Sequence, residues 1–140
     1  MLKWVSFLLI LASGCAYQVM AEKVNPEVNP FASLIITYGS ALLIALVLFL
    51  LTKNGQSVSG ELKKVNIFSV ILGCVICFYE LGFVLAYRYG WGVGNLSPIV
   101  SVATMLVLAV IAVILYHDKL TAANIIGLLI AAVGVLLTIK

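Results

Sequence analysis

Charge is what this chain has least of. Its 140 residues include 8 Lys or Arg and 5 Asp or Glu, so 9% are charged, against about 25% in soluble globular domains. Histidine occurs once, as His117 beside Asp118, too little for a metal cluster. Of the three cysteines, Cys74-Val-Ile-Cys77 forms a C-x-x-C pair and Cys15 stands apart. A thiol oxidoreductase relaying electrons to a quinone needs a second pair to pass a disulfide on, and none is present. No phosphate loop and no nucleophile–base arrangement is recognisable. An enzyme is therefore not expected, nor is a cofactor, a bound metal or a nucleic-acid partner.

What is abundant is apolar: 64% of the residues, with a mean hydropathy of +1.25. They come in long unbroken runs, unlike the alternating ten-residue segments of an outer-membrane barrel. The chain reads as an all-α integral membrane protein. Five runs, at about 2–21, 30–51, 65–89, 93–116 and 122–139, can each cross roughly 30 Å of hydrocarbon at 1.5 Å per residue. They make a single transmembrane domain over 1–140. Between the first two, Asn29 is placed to cap a helix beginning at Pro30, where a missing N–H does no harm. The longest connection, TKNGQSVSGELKK, carries a turn signal at Asn54-Gly55.

The first run has a second reading. A lysine at Lys3, an apolar stretch and small residues before Cys15 are the parts of a bacterial lipoprotein signal. Such a signal prefers a large aliphatic residue three places before the cysteine, where this chain has Ala12, so the run is expected to stay as a first spanning helix. With the N-terminus in the cytoplasm, Lys3, Lys53, Lys63, Lys64 and Lys119 lie inside, and Lys23, Arg88 and Lys140 outside. Such near balance under the positive-inside rule leaves dual insertion open.

Small residues recur at helix-packing spacing. Gly82-x-x-x-Ala86-x-x-x-Gly90 runs along the third span, and Gly127, Ala131 and Gly134 mark one side of the fifth. Such faces let backbones approach in lipid, within a chain or between two copies. Polar side chains form stripes as well: Gly14 with Tyr17 and Gln18; Ser33, Thr37 and Ser40; Ser97, Ser101 and Thr104. Serine and threonine can bond their own helix backbone, so the stripes carry weight only together, as a polar interior.

Glu80 is the sharpest feature. It is the sixteenth of 25 residues in the third run, about 4–5 Å from the midplane. A charge there costs on the order of 2.5–3.5 kcal/mol by insertion scales. Cys77, Phe83 and Tyr87 share its face, an aromatic-sided acidic site suited to a cation or a proton. The plainer alternative is a protonated glutamic acid bonded to a neighbouring helix.

These residues resemble a family. The chain is similar to a single EamA-type repeat of the drug/metabolite transporter superfamily, as in short bacterial members with one five-helix repeat in place of two. The resemblance runs through Tyr17 to Lys23, Asn29-Pro30-Phe31 with Ser33-Leu34 and Tyr38, and Glu80 followed by Ala86-Tyr87-Arg88 and Gly90-Trp91. It continues through Asp118-Lys119-Leu120 and Ile125-Ile126-Gly127 with Gly134, a pattern shared with the last helix of small multidrug resistance proteins. Asp118, where glutamate is more usual, and Met105, near the place of a common proline, are departures.

The resemblance implies alternating-access export of a small metabolite or a cationic or amphipathic compound. The setting it implies is a bacterial or archaeal cytoplasmic membrane. Two-repeat relatives have two halves of opposite orientation, so a five-helix chain implies an antiparallel homodimer. Glu80 is then the proton and substrate group, with Tyr87 and Tyr17 as walls and Gln18 as a hydrogen-bonding partner. Low-dielectric surroundings disfavour the bare carboxylate, so substrate entry is expected to expel a proton. A non-transporting membrane subunit or lipid-carrier flippase component is the other reading, with the thiol oxidoreductase behind it.

Overall fold

The computed structural model describes residues 2–53, 55 and 57–138. Asn54 of the expected turn, Ile139 at the end of the fifth run, and Lys140 lie outside the described residues. All regular structure among the described residues is helical: α1 (Leu2–Glu22), α2 (Pro30–Thr52), α3 (Val58–Leu62), α4 (Ile67–Arg88), α5 (Val93–Tyr116) and α6 (Ala122–Thr138). Four of them, α1, α2, α4 and α5, are long and apolar enough to cross a membrane. The fifth expected span is apolar too, but α6 has 17 residues, about 25 Å at helical rise and short of a hydrocarbon core.

Local chemistry explains where the helices begin. Asn29 caps α2 as its sequence position suggests, its side chain accepting from the Phe31 N–H at 2.9 Å with Pro30 in the first turn. The connection after α2 holds an element that the apolar pattern does not reveal. Ser57 Oγ accepts from the Gly60 N–H at 3.0 Å and starts the five-residue α3, and Glu61 pairs with Lys64 at 2.5 Å just beyond it. A capping serine suffices for one turn of helix without any apolar face.

The chain divides into two compact units: α2, α3 and α4 within 23–89, and α1, α5 and α6 within 1–22 and 90–140. In the first, α2 packs against α4, with Leu34, Phe83 and Val84 buried. Leu34 is early in α2 and the other two are late in α4, so the helices run antiparallel and close tightest at that end. In the second, α5 packs on α1 and on α6, with Ala21 and Leu96 buried. No other apolar side chain among the described residues is buried. A soluble protein could not tolerate this; in hydrocarbon an apolar side chain facing outward loses nothing by doing so.

Of the small-residue positions, Gly82, Ala86, Gly127, Ala131 and Gly134 are all within α4 or α6. A methyl group added at Gly82, Gly127 or Gly134 would meet no atom within 4 Å, so these glycines are not pressed against another helix of the chain. Gly90 has a different role from the helical packing position expected of it. α4 ends at Arg88 with Tyr89 as its cap, and Gly90 follows at φ +92°. That left-handed conformation strains any residue with a Cβ.

Gly90→Ala should therefore lower stability by about 1–2 kcal/mol, and Gly90→Asn by less, because asparagine tolerates that conformation. Thermal unfolding in detergent, followed by circular dichroism, should rank wild type above the asparagine variant and that above alanine. Equal midpoints for all three would remove the conformational requirement.

Candidate functional site

Glu80 is the fourteenth of 22 residues of α4, about 4 Å from the helix midpoint. Away from the first and last turns, it is the one charged residue in any of the described long helices. Across from it, on the packed helix α2, stands Tyr38. The Glu80 carboxyl and the Cys77 thiol are both neighbours of the Tyr38 hydroxyl. That hydroxyl is closed off from solvent, yet neither group meets the distance and angle of a closed hydrogen bond. Residue type and spacing do not mark Tyr38 as a site residue. A signal for it is nevertheless present in the sequence: it is the one titratable residue in α2.

Aromatic rings flank the carboxyl along α4. Tyr79 and Phe83 meet edge-on at a centroid distance of 4.9 Å, and Phe83 and Tyr87 lie tilted at 5.9 Å. Spacing of four residues stacks these side chains on adjacent turns. Glu80, Cys77 and Tyr87 are half-buried and Phe83 is buried, so α4 turns this face inward. Cys74, one turn earlier, is exposed, and both thiols of the C-x-x-C pair are free.

The end of this unit is tied by Arg88. Its Nη2 donates to the backbone carbonyl of Val28, in the connection before α2. This cation, in the last turn of α4, also complements the negative end of the helix dipole. The hydroxyl stripe of α2 serves its own backbone: Thr37 Oγ1 donates to the Ser33 carbonyl at 3.1 Å, and Ser40 Oγ to the Thr37 carbonyl at 2.8 Å.

Tyr17 and Gln18 belong to the other unit, on α1, where both are half-buried. There the stripes do converge. Gly14 and Gln18 of α1 and Ser97, Pro98 and Ser101 of α5 line one groove of about 570 Å³, whose remaining walls are Cys15 and apolar side chains. Pro98 lacks an N–H, so the carbonyl of Gly94, one turn before it, has no donor from that position. Glu22 closes the end of the unit, its Oε1 accepting from the Val93 N–H at 3.3 Å. A carboxylate at a helix start meets unsatisfied N–H groups and the positive end of the dipole. Among the described residues, no three His, Cys, Asp or Glu side chains cluster as metal ligands.

No family model matches the chain, and no solved structure does. A curated relative does: UDP-xylose transporter 1 of Arabidopsis thaliana, 31% identical over 140 residues, an alignment covering 93% of this chain. The chain spans only 40% of that relative's length.

Arg88→Met removes the donor to Val28 while keeping much of the side chain's bulk. Amide hydrogen exchange over 25–29, read by mass spectrometry, should speed up several-fold, with α2 beyond its first turn unchanged. Unaltered exchange in that connection would show that Arg88 does not hold it.

Proposed function

We propose that this protein is a membrane transporter that moves a small cationic or amphipathic compound by alternating access, exchanging it for a proton at Glu80. Similarity to a transporter over nearly the whole chain supports a carrier rather than an enzyme. The observation that carries the rest is a carboxyl near the middle of α4, opposite the Tyr38 hydroxyl and flanked by Tyr79, Phe83 and Tyr87. A bare carboxylate is disfavoured at that depth, and either a proton or a bound cation relieves the penalty. One carboxyl that must be neutralised by one or the other couples their movements. Tyr87 supplies a cation-binding aromatic wall.

The relative is named for a nucleotide sugar, a diphosphate anion. The described long helices of this chain offer Glu80 as their sole charge away from the helix ends. A lone acidic group suits a cation far better than a diphosphate.

Our reading takes α6 as the fifth span, its short length met by local thinning of the bilayer. It also takes the working unit to be two copies inserted in opposite directions in a bacterial or archaeal cytoplasmic membrane. One copy has a five-to-three division of basic residues, which favours neither orientation strongly. An inverted pair would give the two-fold architecture that alternating access uses, and Gly127, Ala131 and Gly134 offer a close-packing face for it.

Glu80→Gln keeps size and much of the hydrogen bonding but cannot release a proton. Reconstituted at equal protein content, the variant should lose uptake driven by an imposed pH gradient by at least tenfold while remaining folded. Undiminished gradient-driven flux would return Glu80 to a structural role. Orientation has its own measurement. Ser59→Cys in a cysteine-free background should react with a membrane-impermeant maleimide from both sides of the membrane, and labelling from one side alone would exclude the inverted pair.

A further inference from the structure

Tyr38 sits opposite a carboxyl that must alternate between charged and neutral states, and its hydroxyl is shut off from water with no hydrogen bond closed on it. A buried donor left in that condition is unfavourable, and it has a candidate partner at hand. We propose that Tyr38 is the positioning residue of the Glu80 site, its hydroxyl donating to the carboxylate whenever Glu80 is ionised and letting go when Glu80 takes up a proton. This inference rests on the reading that Glu80 exchanges a proton.

The surroundings restrict the partner to Tyr38. α2, the helix packed on this part of α4, carries no Asp, Glu, Lys, Arg, His or Cys between Pro30 and Thr52. On α4 itself the titratable neighbours are Cys77, one turn before Glu80 and beside the same hydroxyl, then Tyr79 and Tyr87 in the ring ladder. Arg88, two turns on, is engaged by the Val28 carbonyl. Within α2 and α4 Arg88 is the only fixed positive charge, and it is engaged elsewhere, so a neutral donor from the facing helix takes that part.

The exchange balances without any other reactant. The protonated Glu80 loses its O–H proton to the aqueous phase as a cation arrives, and the carboxylate then holds the cation. Tyr38 keeps its own proton throughout, its O–H turning toward the carboxylate or away from it. Because the hydroxyl is on α2 and the carboxyl on α4, closing the bond draws the two helices together at this depth. Protonation of Glu80 is thereby linked to the fit between them.

A donor that bonds the charged form favours it, so removing the donor favours protonation. The sign follows directly: Tyr38→Phe should release the Glu80 proton at a higher pH than wild type. A hydrogen bond to a charged group corresponds to a displacement of about one pH unit. The measurement is infrared difference spectroscopy of the purified protein across pH, following the carboxylic-acid C=O band that Glu80→Gln abolishes. In Tyr38→Phe this band should persist about one pH unit further toward alkaline pH.

Circular dichroism and thermal melting establish that the variant is folded. Should it fail to fold, Tyr38→Trp, which keeps an aromatic body and places an N–H donor there, should remain closer to wild type in the same titration. A Glu80 band whose pH midpoint is the same with and without the hydroxyl would overturn the role of Tyr38 and leave the proton reading standing. Spectra in which Glu80→Gln removes no titrating band would overturn the proton reading itself.

Discussion

Hydrocarbon offers a backbone no partner for its N–H and C=O groups, and this single constraint shapes most of what is seen here. Each long apolar run must satisfy its own backbone, so it becomes a helix. The ends, where four N–H or C=O groups are left over, are where sequence-specific polar chemistry collects. Asn29 caps α2, Glu22 receives the first N–H of α5, and Arg88 reaches from the last turn of α4 to the Val28 carbonyl. The polar bonds between elements thus gather at helix ends. Within the spans, hydroxyls such as Ser13 and Thr37 turn back on their own helices.

Glu80 and Tyr38 differ from these hydroxyls. Both lie close to the middle of their helices, and they face each other rather than their own backbones. A buried hydroxyl such as that of Tyr38 would be expected to close a hydrogen bond, since an open one is a cost with no return. Here the bond is not closed. If Glu80 exchanges a proton as proposed, its partner cannot be saturated in every state, and an open pairing beside Cys77 is consistent with that role.

Much of the fold was legible because the same constraint that forms the helices also writes them as apolar runs. The Pro30 start of α2 and its Asn29 cap were readable from residue types alone, and α5 occupies the run from Val93 to Tyr116. What escaped was carried by backbone conformation or by tertiary approach. α3 depends on one serine cap in a polar connection, where apolar periodicity has nothing to report. Gly90 has the spacing of a packing residue, and only its left-handed φ shows that it ends α4. Glu80 stood out because a mid-span charge is anomalous in any sequence. Tyr38 did not, because a tyrosine among apolar residues is unremarkable until its facing helix is known. On α1, which packs with α5, Gln18 lines one groove with Ser97 and Ser101.

The sparse interior has a functional reading of its own. In each unit burial concentrates at one end of the packed pair, near Leu34 and Phe83 in one and near Ala21 and Leu96 in the other. Elsewhere apolar surface faces outward at no cost in lipid. Without a water-driven core, little free energy opposes sliding or tilting one helix against its neighbour, because an apolar side chain that parts from the facing helix packs equally well against acyl chains. What can hold a particular arrangement is then a polar bond inside the span. In the proposed pairing of α2 with α4 that bond would join the Tyr38 hydroxyl and the Glu80 carboxyl, and the carboxyl's protonation would decide whether it closes. A modest electrostatic change can command a helix pair only where packing does not already dictate its geometry. The scarcity of buried side chains supplies that condition.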